Sequence, residues 1–358
     1  MLIPCAHMSP AGDPPSGGAA PRPRPSGPVI DLHCHWECRP VMEEMHAEAD
    51  RRGKVSLTIG SDLTRQVNKA HMASIRPQME SLDVRLADMD RMGVDIQAIA
   101  VFPPQMYYWA SPEVAERVFR TMNDTMAETV ATHPDRLMGL GNVPLQDTGL
   151  AVEELRHCMD DLGFRGVQIS TRVEDEELDA ERLEPFWDEI ESRGALVVIH
   201  SSGHDNHRRL DHHYMINVVG HPIEGALAAS HLIFGGVMER HPELKIVLVH
   251  GGGYLPPYAA RMDHAYHARA DVRDGLPRPP SEYLRRFYLD TMVFAENQLR
   301  YLVDTYGPDH IVLGTDFPYD MGESDPRGLI GRAMGDDDAS IAAISGGNAA
   351  RLLGLEVR

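Results

Sequence analysis

Lysine is nearly missing from this chain: Lys54, Lys69 and Lys245 stand against 31 arginines. None of the three follows an apolar run that could be a strand, so a Schiff-base lysine at a strand end is excluded. Cysteine is scarce as well, with Cys5, Cys34, Cys38 and Cys158 in 358 residues. Four cysteines in a chain this long are no disulfide framework, which fits a reducing compartment, the cytoplasm. No run of about 18 apolar residues occurs, so nothing in the sequence reads as a membrane-spanning helix. A glycine-rich dinucleotide fingerprint is missing after the first strand-like run. Repeats at solenoid periods are missing too. Positive charge is in deficit: the formal charge is −20, and such a surface repels phosphate backbones and anionic lipid. Nucleic-acid and membrane-surface roles are therefore set aside.

What is present is an ordinary globular balance, 42% apolar and 25% charged. Residues 1–28 hold eight prolines and four glycines without an apolar run. That composition is no signal peptide and reads as a flexible leader before one domain spanning 29–358. The length suits a single large α/β barrel, which takes ~250 residues or more.

From residue 29 short β-rich runs alternate with helical patterns. Strands are expected at Val29–His33, Ile96–Val101, Leu137–Val143, Gly166–Ile169, Ala195–His200, Ile246–His250, Phe287–Asp290 and Ile311–Asp316. Helices are expected at Leu82–Met92, Glu113–His133, Leu150–Leu162, Ala180–Arg193, Ile223–Arg240, Pro256–Arg269 and Gln298–Tyr306. Unbroken runs such as Val197-Val198-Ile199 and Ile246-Val247-Leu248-Val249 belong to strands buried on both faces of a parallel sheet. Eight strands with helical crossovers predict a (β/α)8 TIM barrel, with an open doubly wound sheet as the alternative. Long insertions follow strand 1 (Trp36–Ser81) and strand 5 (Ser201–Pro222), at the end where barrels build their pockets.

Ligating side chains collect at those same strand ends. Strand 1 closes Asp31-Leu32-His33-Cys34-His35, and residues two apart on a strand share a face. Strand 5 ends in His200, strand 6 in His250 followed by three glycines, and strand 8 in Asp316. Each alone reads as a polar strand exit. Together, imidazoles with one carboxylate suit a borderline divalent ion such as zinc, and an open position on such an ion could bind and acidify water. Paired-metal barrels commonly bridge their ions with a carboxylated lysine at a middle strand's exit. Lys245 lies at the start of strand 6, the opposite end, so one metal is expected. Cys34, between the two histidines, should point into the barrel wall. Asp290 should face the site from strand 7, and Glu224 reads as a helix-start carboxylate.

These motifs resemble a known family. His33-x-His35, His200, His250-Gly-Gly-Gly and Gly314-Thr315-Asp316-Phe317-Pro318 are similar to the metal-dependent decarboxylase branch of the amidohydrolase superfamily, near aminocarboxymuconate semialdehyde decarboxylases. Val143–Asp147, Phe234–Pro242, Arg278–Tyr283 and Ile344–Ala349 resemble further segments of that branch, in the same order. The resemblance spans about Val29 to Leu355. It implies that His33, His35, His200 and Asp316 bind one divalent metal, zinc or else manganese, with no organic cofactor. It implies that His250 and Asp316 are catalytic, with His250 as general acid/base. It further implies that Arg261 reaches across a homodimer to a substrate carboxylate. Arg76, or Arg65 in its place, would be a second clamp. Tyr319 stands at a substrate-binding aromatic position occupied by Phe in the relatives. Ser201–His207 departs from the family pattern, a pocket tryptophan is replaced near His213 or Tyr214, and His204, His207, His212 and His213 fall in this altered loop.

The expected activity is non-oxidative decarboxylation of an unsaturated or aromatic carboxylate, a small-molecule substrate. The alternative is a hydrolase or hydratase of the same superfamily that uses the metal-bound water as nucleophile. A silent binding barrel is disfavoured, because no ligand position is lost.

Overall fold

The computed structural model describes residues 25–52, 60–203 and 207–355. Most of the expected leader, together with His204, Lys54 and Cys5, lies outside those residues.

Eight parallel strands form a ring. They are β1 (Ile30–Trp36), β2 (Ile96–Val101), β3 in two pieces (Leu137–Gly139 and Gly141–Asn142), β4 (Gly166–Ile169), β5 (Leu196–Ile199), β6 (Lys245–Leu248), β7 (Tyr288–Asp290) and β8 (Ile311–Val312). One ladder runs β1-β2-β3 and the other β3-β4-β5-β6-β7-β8. Between the two pieces of β3 the Leu140 amide donates to the Ile99 carbonyl at 2.9 Å, keeping the ladders continuous. The ring closes between the first and last strands: Leu32 N–H donates to Leu313 O at 3.0 Å, Asp316 N–H to His33 O at 2.7 Å, and His35 N–H to Phe317 O at 2.8 Å. This is the expected (β/α)8 barrel.

Alternation sets what fills it. Leu196, Val198, Val247, Val249 and Val312 pack inside the barrel with Ile30 and Leu32. Val197, Ile199, Ile246, Leu248, Ile311 and Leu313 face outward against the helices. Both faces are apolar, as a parallel sheet covered by helices requires. Simple alternation would send His33 and His35 outward, since Ile30 and Leu32 point in. A register shift between Asp31 and Cys34 reverses the parity, so Cys34 joins the outer core and donates to Ala98 O at 3.4 Å. A bulge of this kind re-aims side chains at a strand's end.

The helices follow the expected periodicity with local breaks. Leu82–Met92 has the expected bounds. The segment expected as Ile223–Arg240 splits into His221–Phe234 and Val237–Arg240 around Gly235-Gly236. The first insertion contributes helices Arg39–Arg52 and Asp62–Glu80, and the second a short helix His207–Leu210 and a π turn at Ile216–Gly220. The insertions meet where Ser61 N–H donates to Asp211 O at 2.5 Å. Together they roof the mouth at the C-terminal strand ends.

Candidate active site

At that mouth four imidazoles and one carboxylate converge. One ligand atom each from His33, His200, His250 and Asp316 lies within 4.8 Å of all the others. His35 adjoins them, its Nε2 2.8 Å from Asp316 Oδ1 and its ring centre 4.9 Å from that of His200. Lys245 sits at the other end of the barrel, with Nζ donating to Gly194 O at 3.1 Å.

Backbone geometry aims the last two groups. By alternation His250 would follow Val249 to the outside. Instead His250 has a left-handed φ of 56°, and Asp316 one of 54°. Such conformations are costly for ordinary residues and are retained where the surroundings enforce them. At His250 this turns a strand-end side chain back over the barrel axis, whereas Asp316 already has the inward parity of Val312. Gly314 leaves the space that His33 and Asp290 occupy, since a Cβ there would come within 2.8 Å of His33 Cβ and 2.9 Å of Asp290 Oδ2.

The residues behind the imidazoles fix their tautomers. Asp290 Oδ2 lies 2.6 Å from His33 Nδ1, and its Oδ1 accepts from Gly251 N at 2.7 Å and Met292 N at 3.1 Å. A carboxylate can only accept, so His33 carries its proton on Nδ1. The Ser201 carbonyl lies 2.7 Å from His200 Nδ1 and has the same effect. In both rings Nε2 is left with a lone pair, and both Nε2 atoms are buried without a hydrogen-bond partner. An unpaired buried acceptor costs about 1–3 kcal/mol, whereas a lone pair held by a proton acceptor on the far nitrogen is the usual state of a metal-ligating histidine. The residues therefore fit a divalent cation. Arg85, fully buried, supports the same wall by donating to His35 O and to Gln97 Oε1.

The carboxylates and imidazoles of the cluster also shift one another's titration. Burial opposes the Asp316 carboxylate, yet the charge of His33 and hydrogen bonds from His250 and His35 hold its pKa well below the ordinary value. Burial likewise opposes a charged His33, but the carboxylates of Asp316 and Asp290 raise its pKa. His200 is pushed well below the ordinary histidine value, first by burial and then by the neighbouring imidazoles. The same causes push His221 down to about 3.

A cavity of about 150 Å³ opens onto the cluster. Its walls include Phe102, Tyr214 and Tyr319, with Asn68 and His71 from the helix Asp62–Glu80. That helix buries Thr64, Ile75 and Met79, and Asn68 and His71 fall on the same stripe at helical spacing. Arg65 and Arg76 are each one position off it. Arg76 is 67% exposed and pairs with Glu80 at 3.3 Å. Arg65, also turned outward, pairs with Asp62. Neither lines the cavity. Arg261 lies exposed on the helix Ala259–Ala268, away from the cavity of its own chain. Tyr319 does line it, stacked on Phe102 with ring centres 5.6 Å apart. Tyr214 takes up wall space where a tryptophan was missing, and His212 and His213 line a neighbouring cavity with Asp62, Arg65 and Asp320. Glu224 accepts from Thr171 Oγ1 at 3.1 Å.

Sequence reading missed Asn68, His71 and His221. The stripe on the helix Asp62–Glu80 would have exposed the first two, had that insertion been read as a helix. His221 carries no local signal: it enters the site because the second insertion folds back to the barrel mouth.

Comparisons with known proteins give the family and the fold. The profile of the amidohydrolase family matches residues 30–355. The 2-amino-3-carboxymuconate-6-semialdehyde decarboxylase of Dictyostelium discoideum is 37% identical over 275 residues, 76% of this chain and 77% of that one. The 5-carboxyvanillate decarboxylase of Sphingomonas paucimobilis superposes with a TM-score of 0.80 at 29% identity, covering 92% of this chain and 100% of that chain. The 5-carboxyvanillate decarboxylase of Novosphingobium aromaticivorans, crystallised with manganese and 4-hydroxy-3-methoxy-5-nitrobenzoic acid, shares the fold with a TM-score of 0.78 at 21% identity, over 92% of this chain and 96% of that one.

Proposed function

The chain belongs to the amidohydrolase family, in its branch of metal-dependent decarboxylases of unsaturated or aromatic carboxylates, and on that premise we propose which of its residues carry out the reaction. His33, His35, His200 and Asp316 hold one divalent ion. Three imidazoles and a carboxylate suit zinc, with manganese as the alternative. The observation that carries this assignment is the pair of buried, unpartnered Nε2 atoms of His33 and His200, turned toward Asp316 by the groups behind them. An ion held there supplies a Lewis acid that draws electron density from a substrate oxygen.

The remaining work falls to the protein. As the bond to the departing carboxylate breaks, its electron pair stays on carbon and a proton must arrive there. His250 is the group for that proton. Its side chain is 18% exposed, against 0–1% for His33 and His35, so it fronts the cavity; its Nε2 lies 3.8 Å from Asp316 Oδ2. Asp316 stabilises the imidazolium before transfer and orients it afterwards. Tyr319 and Phe102 form the apolar wall for a flat, conjugated substrate. Arg76 and Arg65 point away from the cavity; the clamp that the family resemblance implies, Arg261 of a second copy of this chain in a homodimer, would hold the carboxylate through the bidentate geometry of a guanidinium. Cys34, Cys38 and Cys158 are free and buried, which supports a cytoplasmic setting. No described helix is long and apolar enough to cross a membrane.

Stripping the protein of metal and refilling it with zinc or manganese tests the proposal. Carbon dioxide release from a panel of hydroxybenzoates and ring-cleavage carboxylates is expected to vanish and then return. Full activity in metal-free protein would overturn it, and a product that has gained water instead would replace decarboxylation with hydration or hydrolysis.

A further inference from the structure

The catalytic assignment leaves two imidazoles of the cavity wall unused, and of these His71 accepts from Asp320 N at 3.2 Å while His221 is unpaired at Nδ1. His221 opens the helix His221–Phe234, and its ring centre lies 6.0 Å from those of both His200 and His250. It lines the same cavity. Its Nδ1 is buried and has no hydrogen-bond partner. Across the cavity, beside His35, the Tyr319 hydroxyl is in the same condition: buried, without a partner, on a ring 5.2 Å from that of His35. Two orphaned polar atoms lining one cavity cost about 1–3 kcal/mol each while they stay unpaired. A chain that needed only an apolar slot would place Met or Phe at these positions.

The chemistry of the wall narrows what satisfies them. Around the cluster the described lining residues outside it are Asn68, His71, Ser201, Ser202, Asn217 and apolar or aromatic groups. A neutral imidazole offers one donor and one acceptor, and a phenol both donates and accepts. Groups of this kind discriminate hydroxyl or keto oxygens, which can return a hydrogen bond, and a site built for such an oxygen rejects the analogue lacking it.

We propose that His221 is a specificity-determining residue, whose imidazole hydrogen-bonds a second, uncharged oxygen of the substrate, with the Tyr319 hydroxyl as its companion. The substrate class is then a ring carboxylate bearing a hydroxyl or keto group. This rests on the decarboxylase reading above and deepens it.

Binding to the zinc-loaded protein separates the two claims. Dissociation constants are measured by calorimetry for 2-, 3- and 4-hydroxybenzoate and for benzoate, with zinc content checked throughout. The wild type is expected to prefer one hydroxylated isomer over benzoate by about 10-fold or more. His221→Phe should bind that isomer and benzoate equally well, with benzoate affinity and zinc content unchanged. His221→Asn, whose amide reaches the place of Nδ1, should recover part of the preference, and it serves as the readout if the Phe variant folds poorly. Tyr319→Phe should lose part of the preference in the same assay. A wild type that binds benzoate as tightly as every hydroxylated isomer, or a His221→Phe protein that keeps the wild-type preference, overturns the assignment while leaving decarboxylation standing. Failure of every ring carboxylate to bind overturns the assignment, and failure of ring-cleavage carboxylates to release carbon dioxide as well overturns the decarboxylase reading.

Discussion

The carboxylate behind His33 offers a sharp test of the metal site, because its change leaves every proposed ligand in place. In Asp290→Asn, the amides of Gly251 and Met292, at 2.7 and 3.1 Å from Oδ1, hold the new side chain's oxygen where they now find their acceptor. The amide NH2 then takes the place of Oδ2, 2.6 Å from His33 Nδ1. Two donors would face each other, so His33 must move its proton to Nε2, the atom that faces Asp316. The lone pair meant for the cation is lost, or the ring swings away. Changes to groups behind a metal-bound histidine cost about 10- to 100-fold in affinity, which is about 1.4 to 2.7 kcal/mol. Competition against a chromophoric chelator should show that loss for zinc. The melting temperature of the metal-free variant should stay near the wild type's, since the two backbone amides keep their acceptor. Asp290→Ala, which strips Gly251 and Met292 of that acceptor, should lower the metal-free melting temperature as well. If Asp290→Asn binds zinc as tightly as the wild type, the argument that Asp290 sets the His33 tautomer is refuted.

Three further outcomes are expected. His250→Asn should keep its metal within about tenfold while turnover falls by about 10²- to 10⁴-fold; full turnover would remove His250 as the proton donor. Gly253→Ala should cost more than ~1 kcal/mol, because Gly253 has φ +63° and a Cβ there would stand 2.1 Å from the Pro222 carbonyl oxygen; an unchanged melting curve would refute the need for glycine in the turn that carries His250. On the outer surface, hydrogen bonds from Arg156 and Arg193, working against partial burial, draw Glu189 down from 4.5 to about 2. A depressed folded-state pKa gives stability that is present above the unfolded value and lost as pH falls toward the folded one. Glu189→Gln should therefore be less stable at neutral pH, by about 1 kcal/mol for a solvent-screened pair. The gap to wild type should close between pH 4.5 and about 2 in thermal melts, and a gap independent of pH would contradict the linkage.

The amino-acid sequence by itself determined the barrel and the strand-end side chains that gather at its mouth. Strands β2 and β4 have the expected bounds, each a short run carrying Ile and Val and set off by helix-ending and turn residues. That His33, His35, His200, His250 and Asp316 converge was legible because strand ends in such a barrel all point to one mouth; which of them hold the ion is the proposal made above. The tertiary structure alone decided how those side chains face the axis. The bulge in β1 reverses the parity that Ile30 and Leu32 establish, and the left-handed His250 turns back a side chain that alternation would send outward. It also decided what stands behind and around the cluster. Asp290 is 257 positions from His33 in the chain, and His221 comes to the cavity only through the fold of the second insertion. The arginines divided the same way: Arg65 and Arg76 were plausible from sequence as clamps, but the helix Asp62–Glu80 puts its Thr64, Ile75 and Met79 stripe against the barrel and turns both guanidinium groups to solvent. Local pattern fixes which way a chain alternates; bulges, left-handed turns and contacts between distant segments are settled by the free energy of the whole packed molecule.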